Sequence, residues 1–184
     1  YAYLKMGLPI LLGLEFKDGG KHLITLTGYR AVNVQKATWT RHLDQPIVYA
    51  DQIKTLYAHD DQVGPFSRLN LLDDGSKVKT IRLKDPTAKV ERYESKVYSI
   101  IVPLSKDIRL AFEDIYQQTL YFESIFNELI DTNQHFIWDI YLTPTNEYRR
   151  DVVNAENTYN QAQKAKLLTE FLPPYLWVAR AEAA

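Results

Sequence analysis

Cysteine is missing from all 184 residues. That excludes disulfides, thiolate metal sites and a thiol nucleophile carried by these residues themselves. It suits the cytosol, and a cytoplasmic location is the expectation. An excess of charge of one sign is missing too. Lysine and arginine number 22 against 23 aspartates and glutamates, a formal net charge of -1. No global basic field is present to attract nucleic acid or anionic lipid. No apolar run approaches the length needed to cross a bilayer. The N-terminus lacks a basic segment leading into an apolar core and a small-residue cleavage site, so no signal peptide is read there. Walker and dinucleotide loops are absent, since Gly19-Gly20 lacks their pattern. A serine nucleophile in a Gly-x-Ser-x-Gly context is absent as well. Neither a cofactor, a nucleic acid nor a membrane is expected as a partner.

What is present is an ordinary globular composition, enough for one good-sized domain or two small ones. The chain begins at Tyr1 and runs at once into strand-like sequence. We therefore expect a fragment or processed piece of a longer polypeptide, able to associate with itself or with a missing upstream segment.

The most informative stretch is Gly7 to Tyr29. An apolar run, Pro9 to Phe16, meets the turn cluster Lys17 to Lys21, and a second run, His22 to about Val34, follows. Two such runs around a Gly-containing loop predict a hairpin. The first run is continuous enough to predict a strand covered on both faces. Alternation puts His22 on the face of Ile24 and Leu26, an imidazole at the edge of an apolar floor.

Lys36 to Gln52, with Trp39, His42 and Pro46, lacks periodicity and reads as a long excursion with one helical turn near Asp51. Ile53 to His59, Arg68 to Leu72 and Val78 to Leu83 read as strands. Val63-Gly64-Pro65 and Asp73-Asp74-Gly75 read as turns. The polar Lys84 to Glu94 segment is the candidate boundary between residues 1–84 and 96–184. Beyond it, Lys96 to Leu104 reads as a strand. Ser105 can cap a helix of about residues 106–130, roughly 37 Å long. Ile108, Ala111, Phe112, Ile115, Phe122, Phe126 and Leu129 recur along it at helical spacing, and Asp131 to Asn133 ends it. Phe136 to Thr143 reads as a strand. A helix from Thr145 or Asn146 is interrupted near Asn154 to Asn157 and resumes to about Phe171. Pro173-Pro174 stops it, and Tyr175 to Ala181 is the last strand. The fold class is thus α+β: a mostly antiparallel sheet, then strand, helix, strand, helix, strand.

Three residues carry candidate chemistry. Imidazole titrates near neutral pH and can accept and return a proton, so His22 is a candidate general base. A base needs an orienting group, and Asp60 and Asp61 end the strand of Leu56 to His59. Alternation sends them to opposite faces: Asp60 with Leu56 and Ala58, Asp61 with Tyr57 and His59. The sequence does not choose between them. The bland alternatives are a histidine that fixes a hairpin end and two solvated turn acids.

These pieces resemble a family. Gly7 to Leu14, then His22 to Tyr29, then Leu56 to Gly64 look like the C-terminal β half of the papain-like cysteine peptidases, closest to the bacterial double-glycine leader peptidases. The resemblance covers about the first third of the chain. It implies a papain-like sheet, His22 as catalytic histidine, Asp60 or else Asp61 as its orienter, and a peptide or amide substrate. The family's nucleophilic cysteine lies upstream of this histidine, and here only Tyr1 to Lys21 precede it. Either the cysteine belongs to sequence outside these residues, or the fold persists without the chemistry. The first is favoured by the Tyr1 start. In both cases these residues alone are not expected to cleave a peptide.

A metal site drawn from His22, His59, Asp60 and Asp61 has suitable ligand types but no compact motif, so no metal is assigned. The aromatic residues of the long helix and of Phe136, Trp138 and Tyr141 read as core packing, not as a base-stacking platform. The alternative to a peptidase part is a non-catalytic binding or scaffolding module.

Overall fold

The computed structural model describes residues 1–31, 47–72, 77–82, 91–130, 136–156 and 158–183. The predicted excursion up to residue 46, the Asp73 to Gly75 turn, the last residue, 83, of the strand predicted from Val78, residues 84–90 of the predicted boundary and the helix stop at residues 131–133 lie outside them.

Six antiparallel strands form a closed barrel in the order β1-β2-β4-β5-β6-β7. They are β1 (Ile10–Phe16), β2 (Lys21–Ala31), β4 (Ile53–Asp60), β5 (Gly64–Leu72), β6 (Lys77–Arg82) and β7 (Glu91–Ile101). A short helix, α1 (Ala2–Lys5), precedes them. The predicted hairpin is β1–β2, in the register Ile10 with Leu26, Leu12 with Ile24 and Leu14 with His22. Its turn explains itself locally. Asp18 accepts from the Gly20 N–H at 3.0 Å, and Gly19 sits at φ +80, where a side chain is disfavoured.

The core is the barrel interior. Ile10, Leu12 and Leu14 of β1 meet Ile24, Leu26, Ala58, Leu69 and Val78 from the neighbouring strands, with Leu4 of α1. Every second residue of β1 points inward, which gives the run its apolar side. The other side is only partly covered: Leu11 and Glu15 are half-buried, and the Tyr98 ring lies against Gly13.

The mixed α+β class agrees with this architecture, but the first sheet is more than a mostly antiparallel layer. β7 pairs with both β6 and β1 and so removes both edges. The sequence reading begins that strand at Lys96, in the second part. The barrel instead takes it from Glu91 onward, so it draws on residues from both sides of the predicted boundary.

The remaining elements make a smaller layer. A three-stranded sheet has the order β3-β8-β9, from β3 (Ile47–Val48), β8 (Phe136–Pro144) and β9 (Tyr175–Ala183). A 3-10 turn at Tyr49–Gln52 follows β3, at the helical turn expected near Asp51. The long helix α2 is shorter than predicted, Phe112–Ile130. Ser105 does not start it, because Ser105 and Ile108 close a turn of their own. The first helical turn is met instead by Asp114, whose carboxylate accepts from the Ala111 N–H at 2.7 Å. α3 (Thr145–Asn154) and α4 (Gln161–Thr169) are separated where the sequence breaks, and Asn160 with Gln163 forms a capping box for α4.

The two layers meet through α1 and the approach to α2. Tyr1 Oη donates to Asp139 of β8 at 2.7 Å, and Lys5 Nζ reaches the other oxygen of Asp139 at 2.6 Å. Tyr3 Oη accepts from the Phe112 N–H at 3.0 Å, while its ring lies edge-on to Trp177. No helix among the described residues is long and apolar enough to cross a membrane.

Candidate functional site

His22 stands at the start of β2, opposite Leu14, with its side chain on the inward face of Ile24 and Leu26. Phe16, at the end of β1, stacks on the imidazole with centroids 6.4 Å apart. β4 pairs with β2 in the register Thr25 with His59 and Leu26 with Ala58. Continuing that register sets Asp60 beside Ile24, so His22 is its diagonal neighbour on the same face. The spacing between the two strands is what brings the side chains within reach.

Asp60 is the acid that turns inward. His22 Nε2 lies 3.0 Å from Asp60 Oδ1, and the Asp60 side chain keeps only 4% of its surface exposed. The same oxygen accepts from the Gln62 N–H at 2.8 Å. Gly64, at φ +107, pairs with Asp60 and turns the chain into β5. Against an ionised carboxylate, which can only accept, the neutral ring that makes this contact is the one with its proton on Nε2. Nδ1 is then the nitrogen with a free lone pair, and it has no hydrogen-bond partner among the described residues.

Asp61 lies on the outside of this pair. Its Oδ1 is 3.4 Å from His22 Nε2, yet its side chain is 83% exposed. His59, the other histidine considered as a metal ligand, is directed to the outer face, its ring tilted against Phe66 with centroids 5.3 Å apart. His22, Asp60 and Asp61 offer one ligand atom each, all within 4.8 Å of one another.

The His22 side chain is 12% exposed. Cavities among the described residues open elsewhere, on both layers of the molecule. An apolar one of about 340 Å³ lies between α1 and one end of the barrel, against Tyr3, Leu12, Val97 and Phe112. An open groove of about 1030 Å³ runs between β9 and the α3–α4 pair, past Tyr148, Tyr159 and Arg180. Neither is lined by His22, so the open groove that a peptidase needs beside its histidine is not one of these two.

Two contributors escape a reading by residue type. The Gln62 N–H is a backbone group and carries no side-chain signature, although an aspartate two residues before it is the pattern of an Asx-turn. Phe16 reads as ordinary core and doubles as the surface on which the imidazole rests. Comparison with protein-family models, with characterised proteins and with solved structures gives no match.

Proposed function

We propose that the chain is the histidine-bearing part of a papain-like peptidase or related amide-bond enzyme. His22 is the general base, Asp60 its orienter, and the nucleophilic thiol comes from outside these residues. The reading is carried by the 3.0 Å contact between His22 Nε2 and a buried Asp60 held by the Gln62 N–H. Such a contact selects one tautomer and leaves Nδ1 to take a proton from a nucleophile. Asp61, exposed and farther away, is not needed for that orientation.

The test is labelling of the protein as isolated from its source with a thiol-directed peptidyl probe. A cysteine should react, and the rate should fall about 100-fold or more in His22→Ala, the scale of a general base. A labelling rate indifferent to His22→Ala would overturn the reading. A non-catalytic binding module is the second reading. It is supported by the slight exposure of His22 and by apolar side chains left in solvent at Ile100, Ile101, Tyr121, Phe122 and Leu129. That module predicts a probe reaction that never depends on His22.

A further inference from the structure

The cluster that orients the base also has the composition of a cation site. We propose that His22, Asp60 and Asp61 bind a divalent transition-metal ion such as zinc, and that the ion switches the base off. Binding follows from geometry alone; the switch rests on the general-base reading above.

Zinc holds imidazole nitrogen and carboxylate oxygen at about 2.0–2.2 Å, so tetrahedral ligands lie about 3.3–3.6 Å apart. His22 Nε2 is 3.0 Å from Asp60 Oδ1 and 3.4 Å from Asp61 Oδ1, and the whole set lies within 4.8 Å. Shifts of a few tenths of an ångström open the first spacing. Asp61 can supply the remaining adjustment, because its exposed side chain is free to rotate about its own bonds. One imidazole with two carboxylates suits first-row ions toward the zinc end of the affinity order. Two negative charges balance the dication. Asp60 is held by the Gln62 N–H, the kind of outer contact that fixes a ligating carboxylate before the ion arrives. The exposed side of Asp61 leaves the fourth position to water.

The switch is a matter of proton position. Without the ion, Nε2–H donates to Asp60 and Nδ1 keeps its lone pair. An ion on Nε2 binds through the electron pair left when the Nε2 proton departs, and the neutral ring then takes its one proton on Nδ1. No net proton is released by the ring, but the nitrogen that would accept from a nucleophile has become a donor. Occupancy and base function therefore exclude each other.

Zinc chloride titrated into the full chain, followed by calorimetry and by ¹⁵N NMR of the histidine side chains, tests both parts. One zinc per chain is expected, with affinity at least about 10-fold weaker in Asp61→Asn and in His22→Gln. The His22 proton should move from Nε2 to Nδ1 as zinc is added. No stoichiometric binding, or equal affinity in both variants, overturns the site. A zinc-free ring with its proton already on Nδ1 overturns the general-base reading and the switch, while the stoichiometry still decides the site.

Discussion

At His22 the chemistry turns on which ring nitrogen is held. Asp60 holds Nε2 from inside the barrel, and Asp61 approaches the same atom from solvent. The two acids are adjacent in sequence and nearly equal in distance, but burial separates them. Asp60→Ala removes the acceptor of both His22 and the Gln62 N–H, leaving two donors at a buried position. We expect a loss of about 1–3 kcal/mol in urea unfolding. Asp61→Ala should leave the unfolding midpoint unchanged, because solvent replaces its contact. Equal losses in the two variants would show that burial does not distinguish them. The expectation that His22 meets one of the two acids rested on residue type and on the family resemblance; the choice between the acids was not legible, because alternation assigns faces without saying which face is inside.

Among the elements, α2 is the one whose attachment is most specific. Phe126 and Phe122 lie edge-on to Phe136 and Trp138 of β8. Between them the Trp138 indole N–H donates to Glu123 Oε2 at 2.8 Å, and both residues are buried. Removing the acceptor in Glu123→Ala leaves that N–H unsatisfied, at a cost of about 1–3 kcal/mol. Tryptophan emission should shift to the red as the helix loosens from β8. An unchanged spectrum and midpoint would mean that the aromatic contacts alone hold the helix. Helical spacing made α2 legible over most of its length, but its aromatic residues are core only in part. Phe112, Tyr116 and Phe126 pack against neighbouring rings, Phe122 touches Trp138 while more than half exposed, and Tyr121 faces solvent. The start of α2 was misplaced because Ser105 suits a turn as well as a cap, and only the surrounding chain selects between them.

Over the whole molecule, tyrosine hydroxyls stitch the barrel to the smaller sheet. Tyr1 bridges to Asp139 and packs edge-on to Tyr29 of β2, and Tyr141 of β8 lies beneath Lys5 Nζ. Burial pushes the Tyr1 hydroxyl far above its ordinary value of 10.0, with the Asp139 hydrogen bond and charge adding to it. Burial likewise raises Tyr29 and Tyr141. A raised folded-state value means that the folded protein keeps protons the unfolded chain releases. The resulting stability is complete below about pH 10 and declines as pH rises from there through the folded values. Unfolding midpoints measured from pH 8 to 11.5 should be flat at first and then fall. Tyr1→Phe, which lacks the titrating hydroxyl, should fall less steeply. A slope identical in the two proteins would remove Tyr1 from this account.

The sequence by itself determined what depends on near neighbours. The β1–β2 turn, the alternation that sets His22 on the face of Ile24, the helical stripe of α2 and the ends of α3 at Asn154 and of α4 before Pro173 all follow from residues a few positions apart. Only the tertiary structure decided that β7 returns to β1 and closes a barrel, that Asp60 and not Asp61 faces inward, and that Nε2 is the nitrogen held. Those outcomes are set by strand pairings between residues tens of positions apart, and the energy of such a pairing is fixed only once both surfaces are in place.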